Sequence, residues 1–98
     1  MEKKYVIMTY DGPNCKDVFL TWTTDAGGYY TTVDFIDEVG EYDIHTSIES
    51  AINRAKDADS GTLFGWSFPM KVMEVLNYED VKQGYEPELK EVQTIILD

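Results

Sequence analysis

Residues 44–59, IHTSIESAINRAKDAD, constrain this chain most, because they carry its one clear helical period among segments that otherwise read as strands. Thr46 suits an N-cap, and Glu49, three residues on, can close a capping box with it. Ile48, Ala51, Ile52 and Ala55 recur at helical spacing and form a narrow apolar stripe. Glu49, Ser50, Asn53, Arg54, Lys56 and Asp57 fall on the other side, and Asp59-Ser60-Gly61 supplies the stop. A single striped helix must bury its apolar side on another layer, and the rest of the sequence offers only strands.

Those strands follow from alternation and turn chemistry. Residues 4–10 (KYVIMTY) are apolar on both faces, which predicts a central strand, and Asp11-Gly12-Pro13-Asn14 is a turn. Residues 17–24 and 29–36 flank Asp25-Ala26-Gly27-Gly28, and the glycines allow a hairpin there. Pairing Thr24 with Tyr29 sets Val18 opposite Phe35, Leu20 opposite Val33 and Trp22 opposite Thr31. All the apolar partners then share one face, and Phe19, Thr21 and Thr23 look outward. Residues 62–68 place Phe64, Trp66 and Phe68 on one face before Pro69 interrupts. Residues 70–78 read as a strand, 78–84 as a helical turn or a loop closed by Gly84, and 89–97 as the last strand. The expectation is one α+β domain over residues 1–98, in the order β-β-β-α-β-β. It has an antiparallel sheet of about five strands with the helix packed on one face, and Trp22, Phe35, Phe68 and either Phe64 or Trp66 in the core.

Charge narrows the function. Nineteen acids against eight bases give a net charge of −11, which disfavours nucleic acid or an anionic membrane as a direct partner and favours basic protein surfaces. The N-terminal apolar run is too short for a signal peptide or a span, and the lone Cys15 excludes an intrachain disulfide, so a reducing, cytoplasmic setting is expected. Between Lys16 and Arg54 there is no Lys or Arg, yet the interval holds eight acids, five of them within residues 34–43. Mixed signs are the ordinary state of a surface, so a one-sign field points to a basic partner. Asp34, Asp37, Glu38, Glu41, Asp43 and Glu49 are the candidate contacts, with Tyr30 and Tyr42 as aromatic anchors.

Other chemistry finds little support. Neither acidic loop has the ligand spacing of a calcium loop, and His45 lacks the cysteine or histidine neighbours of a zinc site. Gly27-Gly28 is not followed by a helix as a phosphate loop requires, and nothing pairs Cys15 with His45. No catalytic residue, metal ligand or cofactor is therefore assigned, and the expected protein is not an enzyme.

From residue 29 to residue 75 a strand, an acidic loop, a capped helix and a returning strand follow one another. This order resembles the small single-helix α+β proteins of phages and mobile elements, anti-CRISPR inhibitors among them. The resemblance implies an anti-defence protein that occupies the basic surface of a nucleic-acid-binding protein by imitating nucleic-acid charge. The competing expectation is a small assembly module that pairs as a homodimer through a strand edge and is acidic only for solubility.

Overall fold

In the computed structural model the described residues are 3–11, 14–61 and 70–95. Strands β1 (Lys4–Asp11), β2 (Lys16–Thr23) and β3 (Tyr29–Val33) precede helix α1 (Ile48–Gly61). Strand β4 (Met70–Val75), the single turn α2 (Tyr78–Val81) and strand β5 (Leu89–Ile95) follow. Short 3-10 turns occupy Asp25–Gly27, Ile36–Glu38 and Glu41–Asp43. The strands form one antiparallel sheet in the order β3-β2-β1-β4-β5, so the doubly apolar β1 is central, as its pattern predicts. The expected strand over residues 62–68, with Phe64, Trp66 and Phe68, lies outside the described residues.

The helix stripe packs as its spacing dictates. Ala51, Ala55 and Ala58 are fully buried, with Ile48 and Ile52 beside them, against Tyr5, Ile7, Leu20, Tyr30, Met70, Val72 and Ile95. Three alanines in the seam let the helix lie close to the sheet. A bulge in β5 opposite Val72/Met73 skips Val92, which packs against the same cluster. The helix begins one residue later than expected. Ser47, not Thr46, is its cap, accepting the Ser50 N–H at 3.1 Å, so no Thr46–Glu49 box starts it. The delay follows from His45, whose N–H and C=O are both tied to Tyr5 at 2.8 Å and hold the chain extended up to that point.

The second face of the sheet is also covered. Val6, Phe19 and Val75 pack with Ile36 and Val39 of the acidic connection and Val81 of α2, with Met8, Val33, Met73 and Leu89 around them. This corrects the hairpin register. Phe19 pairs with Val33, Leu20 with Thr32 and Trp22 with Tyr30, one residue away from the alternation-based pairing. Alternation discriminates registers only when one face is wet, and β2 is buried from Val18 to Thr21. The connecting loop accordingly spans five residues, 24–28, between the pair Thr23 and Tyr29. Phe35, expected in the core, is exposed because β3 ends at Val33 and the chain turns away.

Gly28 shows why this loop carries two glycines. Its φ is 102°, and a Cβ there would run into the Trp22 ring, whereas Gly27, φ 92°, faces open space. Gly28→Ala is therefore expected to cost about 2–3 kcal/mol, from backbone strain plus collision, and Gly27→Ala about 1 kcal/mol from strain alone. Paired thermal melts of the two variants measure the difference.

Candidate functional site

β1 pairs with β2 only from Met8 to Asp11. Beyond that point the two strands diverge, and the chain around Asp43 and His45 enters the gap. The divergence leaves the Trp22 N–H without a strand partner, and Asp43 supplies one. Its Oδ2 accepts that N–H at 2.8 Å and the Thr21 hydroxyl at 3.2 Å, while Thr21 Oγ1 accepts the Gly40 N–H at 2.9 Å. Its Oδ1 accepts Arg54 Nε at 2.8 Å, so a carboxylate only 1% exposed is neutralised across an interval of eleven residues. Burial alone would weaken the Arg54 cation, but the hydrogen bond and charge of Asp43 outweigh it and hold its pKa above the ordinary arginine value.

Arg54 also stands over aromatic faces, 5.0 Å from the Tyr30 centroid and 6.0 Å from that of Trp22, and the two rings meet edge-on at 4.9 Å. The Tyr30 hydroxyl donates to Asp57 at 2.6 Å. Burial first, then that bond to a carboxylate, pushes its pKa well above the usual tyrosine range. An open cleft of about 860 Å³ lies against this nest. Ser50, Asn53, Arg54 and Asp57, the i, i+3, i+4 and i+7 positions of the polar side of α1, line one wall, and Trp22, Thr24 and Tyr30 line the other. Tyr42 and His45 complete it.

His45 is buried, with Nδ1 3.1 Å from Ser50 Oγ and Nε2 the one buried side-chain polar atom among the described residues that has no hydrogen-bond partner. Burial pushes its pKa below 6.5, partly offset by Asp43, with Arg54 pushing the same way as burial. The unfolded chain therefore binds a proton that the folded chain resists. The resulting stability is present in full above the ordinary value of 6.5 and is lost as pH falls from there through the lowered folded value. Since His45 is the only histidine, urea unfolding of the wild type across that range should show the loss, and His45→Asn should flatten it.

The acidic candidates separate into two groups. Asp43 is an internal ligand of Arg54 and Trp22, and Tyr30 is buried, so neither is an exposed contact, contrary to expectation. Asp34 is exposed but pairs with Lys16 at 2.8 Å. Asp37, Glu38, Glu41 and Glu49 are exposed and join no ion pair among the described residues, and Tyr42 is 80% exposed.

The fold adds residues that the sequence did not single out as contacts. The Ile36–Glu38 turn meets the loop after α2, and Phe35 and Tyr85, 65% and 66% exposed, share a shallow cleft of about 180 Å³ with Asp37, Glu86 and Pro87. A second surface hollow joins Tyr85 and Glu86 to Asp80 and Glu88. Two bare aromatic rings thus stand among carboxylates from separate parts of the chain. Buried Val81 and Ile36 bring these segments together. No signal in the sequence ties residues 35–38 to residues 84–88. For Arg54 a signal did exist: it is the first base after a long acidic interval and lies on the helix next to the seam.

The chain matches no protein-family model, no curated protein and no solved structure. Among the described residues no helix is long and apolar enough to cross a membrane.

Proposed function

We propose that the protein is a non-enzymatic binding protein, working in the cytoplasm, that covers the basic surface of a nucleic-acid-handling protein and so keeps nucleic acid off it. The observation that carries the reading is the face built from residues 35–38 and 84–88, where Phe35 and Tyr85 stand exposed amid Asp37, Glu38, Glu86 and Glu88. Aromatic anchors inside a charged rim are the usual anatomy of a protein interface. The sign of the rim and a net charge of −11 select a basic partner, and the same charge argues against direct contact with nucleic acid. Glu41, Tyr42 and Glu49 are exposed as well. The edge-pairing alternative is less well supported at one of the two sheet edges. The outer strand β5 carries exposed Lys90 and Glu91 and a bulge, features that discourage addition of another strand.

The test is capture of partners from host lysate at low and high salt with wild type and with Asp37→Lys/Glu38→Lys/Glu86→Lys. A nucleic-acid-binding protein that is retained by wild type, released by salt and missed by the variant supports the proposal. Identical capture by both proteins contradicts it.

A further inference from the structure

The cleft between α1 and the β2–β3 hairpin contains binding groups that the docking face does not use. Its volume of about 860 Å³ is in the range of ligand sites. Charge decides what class of ligand suits it. Arg54 and Asp57 line it with opposite signs, and Asp43 stands behind Arg54, so the three sum to no positive charge while the whole chain is at −11. An anion is repelled by that field. A second cation is disfavoured as well, because Arg54 already stands over Trp22 and Tyr30 and would repel it. A neutral, flat molecule with hydrogen-bond acceptors remains.

The polar groups narrow this further. Arg54 spends its Nε on Asp43, which leaves the Nη1/Nη2 end of the fork to face another acceptor pair. The acceptor pair that suits such a fork is the O6/N7 edge of a guanine-type purine. Trp22, 40% exposed, and Tyr42, 80% exposed, offer ring faces for stacking. We propose that this cleft binds a neutral purine base, stacked on Tyr42 with its O6/N7 edge on the free end of the Arg54 guanidinium.

The test is an NMR titration of the full chain with inosine, which carries that edge. Parallel titrations use 7-deazainosine, inosine 5′-monophosphate and a short single-stranded oligonucleotide of the same base. Expected are saturable shifts at the Trp22 indole and at Asn53 and Arg54, weaker binding of the 7-deaza compound, and weaker binding of both phosphate-bearing ligands. Tyr42→Ala, which removes an exposed ring and leaves the core intact, should weaken inosine about tenfold. The proposal is overturned if inosine gives no saturable shift, or if its shifts fall only around Phe35 and Tyr85. It is equally overturned if Tyr42→Ala or loss of N7 changes nothing, or if either phosphate-bearing ligand binds more tightly than the nucleoside. The Trp22, Asn53 and Arg54 readouts lie in a different hollow from Phe35, Asp37 and Glu86, where the docking test acts, so the two proposals fail separately.

Discussion

Asp43→Ala is expected to lower stability by about 3 kcal/mol, which in a domain of this length lowers the melting temperature by roughly 15 °C. The change removes a carboxylate that is 1% exposed and accepts from Trp22 N–H, Thr21 Oγ1 and Arg54 Nε at once. What stays behind is an unsatisfied backbone N–H in the gap between β1 and β2 and a cation without its counter-charge. Arg54 is 28% exposed, so water recovers part of its solvation, and the cost falls at the low end of what breaking a buried pair entails. Asp43→Asn should lie between the variant and wild type, since it keeps an oxygen acceptor and loses the charge. Asp37→Ala and Glu41→Ala should each change stability by less than about 0.5 kcal/mol, because both side chains are exposed and join no ion pair among the described residues. Urea unfolding of these four variants separates the internal acid from the external ones.

The second large effect concerns binding and leaves stability alone. Reversing Asp37, Glu38 and Glu86 to lysine should weaken the partner complex at least about a hundredfold, since attraction to a basic surface becomes repulsion at three rim positions. Phe35→Ala and Tyr85→Ala should each cost about 2 kcal/mol of binding, the scale of an interface anchor, with no loss of fold because both rings are largely exposed. Salt should distinguish the two classes. Raising it should erase the difference between wild type and the charge-reversed protein, and the aromatic variants should stay weak at every concentration.

The class of fold was legible because its signals are local. The stripe Ile48, Ala51, Ile52, Ala55 and the doubly apolar 4–10 run specify a buried helix seam and a central strand, and both are observed. The β2–β3 register was not legible, because α2 and the acidic connection bury the second face of the sheet and remove the contrast that register reading relies on. The site divided in a similar way. The density of acids between Lys16 and Arg54 predicts outward-facing carboxylates, and Asp37, Glu38, Glu41 and Glu49 do lie exposed. It failed at Asp43 and Tyr30, which turn inward to bond Arg54 and Asp57, because composition does not tell an exposed acid from one drawn inside by a helix arginine. The meeting of Phe35 with Tyr85 is tertiary, set by the packing of Ile36 and Val81, and has no trace in the spacing of either segment.

The most direct test of the proposed role is a competition. The partner captured from lysate is loaded with its labelled nucleic acid, and the protein is titrated in while polarisation of the label is followed. Displacement of the nucleic acid by wild type, with none by Asp37→Lys/Glu38→Lys/Glu86→Lys, is the result expected of a protein that covers the basic surface. A stable ternary complex, with the nucleic acid still bound at saturating protein, would contradict it.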